Sequence, residues 1–266
     1  MSWSIPSIGG IDWAGAFSWA STNQPAAIVL STTIVAYPIR YFVPRMFPRL
    51  LRRRGLDERE VAIWSVLLAR LWGGIVLGIP ALWIAFRCLP HYPNRLGLNF
   101  DHAGISIVAA VISWIVIWLT FSVMVRVWPG FFTGYPEMKV HPPWPMRLVL
   151  LNTVSWFVYL IPYEFLFRGF LLYPLASAYG GAMATLISMG LYSFAHLVNE
   201  PQEQNSTILA GILFSGLALG TGSILAPVLI HCCLAPSMEL FALRAESRAG
   251  AGTAVRATDR LEPAGS

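Results

Sequence analysis

Charged side chains are scarce in this chain, at 12% of 266 residues, about half of the roughly 25% that a soluble domain carries. With 56% hydrophobic residues and a mean hydropathy of +0.61, that scarcity excludes an ordinary soluble fold and leaves a polytopic membrane protein. Cysteine is also rare. Cys88, Cys232 and Cys233 lie in or beside apolar segments without the C-x-x-C or Cys/His spacing of a zinc site, so they read as small packing residues. The first residues lack the basic region and apolar core of a secretory signal, and residues 1–24 are expected as a non-cytoplasmic N-terminal segment. No internal repeat points to an inverted-repeat transporter. The apolar runs are too long and too even for the alternating strands of a membrane barrel.

What remains is an all-α transmembrane bundle of about seven spans, at 25–44, 61–86, 104–128, 148–176, 181–198, 206–221 and 224–243. They form one transmembrane bundle over 25–244, followed by a tail, 245–266, that lacks an apolar period and is expected to be disordered. The net charge of +5 comes largely from clusters such as Arg45, Arg49, Arg52, Arg53 and Arg54. These report orientation and contact with anionic lipids rather than nucleic acid. Together with Arg126, Lys139, Arg147, Arg244 and Arg248 they place the C-terminus in the cytoplasm and the N-terminus outside, against the minority signal of Arg87 and Arg95. The four prolines between Tyr135 and Pro145 cannot continue a helix, and they separate three front spans from four back ones.

The polar groups concentrate in the back half. Glu164 and Arg168 lie inside the apolar run Trp156–Ala176, where each charge costs about 2.5–3.5 kcal/mol on insertion scales and therefore turns inward and pairs. A turn near Tyr179 leaves Glu164 and His196 at depths differing by about 3 Å, at 1.5 Å rise per residue, so the two can meet across a hairpin. His231, a little past a turn at Gly222, joins them once helices tilt. In low dielectric an imidazole and a carboxylate can draw a proton from a shared water while a second imidazole donates to a developing oxyanion. Two plainer readings stand beside this one. Glu164 and Arg168 have the favourable order for a structural i,i+4 ion pair, and His196, Glu200 and His231 could ligate a metal, although Glu200 adjoins Pro201 in a polar loop. Arg70 is expected to snorkel or line the bundle, and His91, His102 and His141 are expected to be ordinary loop histidines.

Three segments carry a resemblance: Tyr163-Glu164-Phe165-Leu166-Phe167-Arg168-Gly169, then Tyr192-Ser193-Phe194-Ala195-His196, then His231-Cys232-Cys233-Leu234-Ala235. In order and spacing they resemble the E-E-x-x-x-R, F-x-x-x-H and H-x-x-x-N motifs of the CPBP family, the CAAX-processing and bacteriocin-processing-type (Abi-like) intramembrane endopeptidases. The likeness covers roughly residues 148–240. It implies that Glu164 matches the second glutamate, which holds Arg168, that His196 activates water, and that His231 stabilises the oxyanion. Tyr163 stands where the family has its first, water-activating glutamate, and Ala235 where it has asparagine.

The resemblance implies an intramembrane endopeptidase cleaving a membrane-anchored or lipidated protein or peptide, with no cofactor and no metal, in contact with membrane lipids, in the bacterial inner (plasma) membrane. Its site is expected to comprise Glu164, Arg168, His196, His231 and Tyr163. The substitutions at Tyr163 and Ala235 support an alternative, a catalytically inactive membrane scaffold or regulator of the same fold. A transporter using the buried charges as an ion path is a third.

Overall fold

Every regular element among the described residues is helical. The computed structural model describes residues 23–89, 96–196 and 201–259, with the side chains of 195, 201–206 and 249–259 left aside. Helix α1 (Gln24–Phe42) leads through a short 3₁₀ turn into α2 (Phe47–Arg53), and α3 covers Glu58–Cys88. Helix α4 spans Ala103–Val127 and α5 Met146–Glu164; a π-helical stretch, Phe165–Leu171, joins α5 to α6 (Leu172–Tyr179). Then follow α7 (Gly181–Ala195), α8 (Pro201–Thr221) and α9 (Leu225–Asp259).

Local chemistry sets several boundaries. A capping box starts α3: the Glu60 N–H donates to Asp57 Oδ1 at 2.7 Å, and the Asp57 N–H donates to Glu60 Oε2 at 3.1 Å. Gly180 (φ +81°) and Gly222 (φ +65°) adopt the left-handed conformation that ends α6 and α8, so both turns fall where residue spacing put them.

Among the described residues, five helical stretches are long and apolar enough to cross a membrane: Gln24–Arg53, Glu58–Cys88, Ala103–Val127, Met146–Tyr179 and Leu225–Arg248. Five of the seven expected spans are thus matched, while the other two correspond to shorter apolar helices. Helix α7 has 15 residues, about 22 Å against a hydrocarbon core near 30 Å. The apolar part of α8 begins only at Thr207, after the polar first residues of the helix, Pro201–Ser206. The last helix continues past Ala245 to Asp259, and residues 245–259 hold five alanines together with Gly250 and Gly252. Residues 1–22 and 260–266, which include most of the N-terminal segment and the end of the tail, lie outside the described residues.

Helix α4 packs along α9, α3 along α5, and α7 along α8, while the rod Met146–Tyr179 runs through the middle. Around its π stretch that rod is enclosed on all sides, with Leu166, Phe170, Leu171 and Leu172 inaccessible. Helix α4 instead presents Ile105, Val108, Ile112, Ile115 and Leu119 outward, the apolar face a bilayer would solvate. The close contact of α3 with α5 needs glycine. Pro162 has no N–H for the Val158 carbonyl one turn earlier, and a Cβ added to Gly74 would stand 2.5 Å from that oxygen. Gly74→Ala must push two backbones apart; an overpacking loss of about 1–3 kcal/mol is expected, read as a lower midpoint in a denaturing-detergent titration, and an unchanged midpoint would contradict this packing.

Candidate functional site

The site grows out of the central rod. Its α-helical hydrogen bonding is interrupted first at Pro162 and then by the π turn Phe165–Leu171, a distortion that recurs where helices carry function. Glu164 is the last residue before the π turn, and Arg168 lies within it. Both are fully buried, with Arg168 Nε 3.4 Å from Glu164 Oε2. The guanidinium finds no hydrogen-bond partner among the described residues. It lies against aromatic rings instead, its Cζ 4.2 Å from the Tyr192 centroid and 5.3 Å from that of Phe214, a cation–π setting. Gly169 allows this turn to sit tightly: a Cβ there would meet the Leu96 carbonyl at 2.9 Å.

The other carboxylate oxygen of Glu164 reaches α9. His231 Nδ1 lies 2.5 Å from Glu164 Oε1, so a proton resides on Nδ1 and the carboxylate holds the ring in place. Oε1 of Glu164 thus meets a histidine, while Oε2 faces the arginine without a hydrogen bond among the described residues. His196 ends α7, where its Nδ1 donates to the Tyr192 carbonyl at 2.8 Å. A carbonyl only accepts, so in the neutral imidazole the lone pair belongs to Nε2. Tyr163 stands between the two histidines, its ring edge-on to both at centroid distances of 6.3 Å (His196) and 5.9 Å (His231). Its hydroxyl is buried and has no hydrogen-bond partner among the described residues.

Tyr163, His196, His231 and Ala235 all line one cavity of about 510 Å³. Glu164 and Arg168 do not line it; they form the layer behind His231. The five expected site residues thus come together in two tiers, an aromatic and imidazole wall facing the cavity and an ion pair behind it. Ala235 offers the wall a methyl group and no donor.

A second polar cluster, unforeseen in the sequence apart from the unusual position of Arg70, closes another part of the same cavity. Arg70 is 2% exposed and neither snorkels nor stands alone. Its Nη2 donates to Glu137 Oε2 at 2.9 Å and to Glu239 Oε1 at 3.0 Å, and its Nη1 donates to Asn152 Oδ1 at 2.7 Å and Ser155 Oγ at 2.8 Å. The Trp156 ring lies 3.8 Å beneath its Cζ. Glu239 sits eight residues after His231, so a carboxylate inside the last span was the signal available. Glu137 is the carboxylate that lines the cavity among the described residues, carried inward by the proline-rich segment as Met138 beside it buries completely.

The remaining histidines separate. His141 is not an unpartnered loop residue: its Nδ1 lies 2.6 Å from Glu246 Oε1, bringing the proline-rich segment and the end of α9 to one end of the bundle. His102 precedes α4 and is exposed, while His91 lies outside the described residues. No three His, Cys, Asp or Glu side chains converge as metal ligands among the described residues. Glu200, the partner considered for His196, lies outside them.

Comparison with known proteins bears on this same region. Residues 144–235 match the Rce1-like family, described as type II CAAX prenyl endopeptidase Rce1-like. No curated protein and no solved structure matches the chain. The Rce1-like segment opens at Trp144, just before α5, and closes at Ala235. It holds all five expected site residues but excludes α1 to α4 and the segment before Trp144, and so leaves out Arg40, Arg70 and Glu137.

Proposed function

We propose that the protein is an intramembrane endopeptidase that hydrolyses a peptide bond in a membrane-anchored or lipidated substrate. The observation that carries this reading is the convergence of Tyr163, His196 and a carboxylate-held His231 on one cavity inside an apolar bundle. His196 Nε2 takes a proton from a water as the water oxygen attacks the substrate carbonyl carbon. His231, when protonated and held by Glu164, donates from Nε2 to the developing oxyanion, and the Tyr163 hydroxyl is the second donor, where Ala235 has none. Collapse of the tetrahedral intermediate breaks the C–N bond, and His196 returns its proton to the leaving amine. Glu164 acts through His231 rather than on water, since its Oε1 meets His231 and the residue does not line the cavity. The match to the Rce1-like family supports a peptide substrate. The location that goes with it is the bacterial inner membrane, with the end bearing His141 and Glu246 in the cytoplasm.

Tyr163 and Ala235 also support a second reading, a bundle that keeps its polar core for stability and hydrolyses nothing. The two separate on the Tyr163 hydroxyl, which has no hydrogen-bond partner to lose among the described residues. In proteoliposomes with lipidated peptides, Tyr163→Phe is expected to lower kcat/KM by about 10²–10³, the usual loss for one oxyanion donor, with folding intact. Cleavage at the unaltered rate would remove Tyr163 from the mechanism, and absence of cleavage by the unaltered protein would favour the scaffold.

A further inference from the structure

Six arginines stand against three carboxylates between Arg45 and Glu60, where α1 passes through its 3₁₀ turn into α2 and on to α3. The carboxylates are already engaged. Glu58 holds Arg52 through two hydrogen bonds of 2.7 and 2.9 Å, and Asp57 and Glu60 form the capping box of α3. Arg45, Arg49 and Arg53 have no carboxylate within ion-pair distance among the described residues. All three are exposed, and their four-residue spacing aligns them in one row on the helix surface. Phe42, Met46 and Leu50, also exposed, form the adjacent row, and the Arg45 Cζ lies 5.3 Å from the Phe42 ring centroid. No residue of the 3₁₀ turn or of α2 is buried.

We propose that Phe42–Arg53 is a docking surface for anionic phospholipid headgroups, and that lipid seated there holds the end of α1 in place on the cavity wall. The helical stretch Gln24–Arg53 has 30 residues, about 45 Å at 1.5 Å rise per residue. That is the thickness of a bilayer with its headgroup regions, whereas the hydrocarbon core is only about 30 Å. With Gln24 at one interface, the arginine row stands at the headgroups of the other. The apolar row enters the acyl boundary, as in helices that lie at a membrane interface, and each guanidinium meets phosphate oxygens in two-point contact. The apolar row and the depth select lipid over an acidic protein segment, because exposed phenylalanine, methionine and leucine beside the arginines match acyl chains beside phosphates.

The surface reaches the cavity through α1. Ala36 is the last buried residue of α1, and none from Tyr37 to Arg53 is buried. Yet Tyr37, Arg40 and Tyr41 line the cavity, where Arg40 Nε donates to the Tyr159 hydroxyl at 3.0 Å and Glu137 attracts its guanidinium. That part of the wall is carried by a stretch with little buried contact of its own, and seating its end among headgroups supplies a second anchor. The docking surface stands without the endopeptidase reading; only the description of the cavity as a substrate site, and hence of the lipid as its regulator, rests on that reading.

The test adds phosphatidylglycerol or phosphatidylcholine to the full chain in an uncharged detergent and counts bound lipid by native mass spectrometry. Phosphatidylglycerol is expected to bind at least about fivefold tighter, the gain from a single arginine at an anionic surface. Arg45→Gln, Arg49→Gln and Arg53→Gln together erase the preference, and the three lysine replacements keep most of it. Arg126→Gln with Arg147→Gln, exposed cations in other segments, leaves it unaltered. Equal binding of the two lipids overturns the docking surface, and that comparison needs no variant. A preference that survives the three glutamines overturns it too, as does displacement of the lipid by millimolar inorganic phosphate, which marks a site for free anions. The link to the cavity is read by amide hydrogen exchange over residues 37–53 in nanodiscs of either lipid. Exchange is expected to slow about fivefold in phosphatidylglycerol for the unaltered chain and not for the triple glutamine variant; equal exchange in the two lipids overturns the link. Neither readout involves cleavage, so slowed exchange in a protein that cleaves nothing would sink the endopeptidase reading and leave the lipid site standing.

Discussion

Glu164→Gln is expected to abolish cleavage and to destabilise the bundle at the same time. The amide keeps the shape of the side chain but removes the charge that faces Arg168 at 3.4 Å and His231 at 2.5 Å. Arg168 is fully buried, and a buried ion whose partner is removed costs about 3–5 kcal/mol. Cleavage falls by about 10²–10⁴, the range for a displaced acid–base group, because His231 loses the carboxylate that holds its ring. The double variant Glu164→Gln with Arg168→Met separates the effects. It removes both charges, so stability in a denaturing-detergent titration should largely return, while cleavage in proteoliposomes should not. Recovery of cleavage along with stability would show that Glu164 and Arg168 serve the fold alone.

The second large effect belongs to a residue outside the matched segment. Arg70→Met leaves Glu239, 1% exposed, without its cation and with only the Trp156 Nε1–H and the Glu137 N–H, both at 3.3 Å. A loss of about 3–5 kcal/mol is expected, visible as a large shift of the unfolding midpoint. Because Arg70 ties α3 to α5, to α9 and to the proline-rich segment, that segment should open first, and proteolysis between Tyr135 and Pro145 should report it. Adding Glu239→Gln to Arg70→Met is expected to recover part of the midpoint. If Arg70→Met alone unfolds at the unaltered midpoint, the cluster contributes no net stability.

These two clusters differ in how far the sequence discloses them. Glu164 and Arg168 announce themselves because charge inside an apolar run must be compensated, and helix rise alone carries Glu164 and His196 to nearly the same depth, with His231 joining them once helices tilt. Tyr179 and Gly222 marked the turns because the glycines there take up a left-handed backbone. Arg70, Glu137 and Glu239 are joined across 67 and 169 residues, and no local period links them. The sequence therefore left Arg70 as a residue that either snorkels or lines the bundle, without its partners. The π turn at Phe165–Leu171 leaves no compositional mark either, yet it sets where Arg168 points. Hydropathy counted α7 and α8 as spans because it measures apolarity and not helix length, whereas α7 has 15 residues and α8 opens with the polar residues Pro201–Ser206. The two-tier arrangement, with Tyr163 at the cavity and Glu164 behind it, depends on side-chain packing among α5, α7 and α9 and is legible only in three dimensions.

The endopeptidase reading is tested most directly by comparing membrane peptides from cells carrying the unaltered protein and cells carrying His196→Ala, with expression and folding matched. His196 is the better probe because it reaches the cavity wall without taking part in either buried ion cluster. The expected result is at least one membrane protein or peptide whose shortened form disappears in the variant while its full-length form accumulates. Identical peptide profiles, under conditions where loss of the gene has a phenotype that His196→Ala rescues, would contradict proteolysis and leave a membrane scaffold with a polar core.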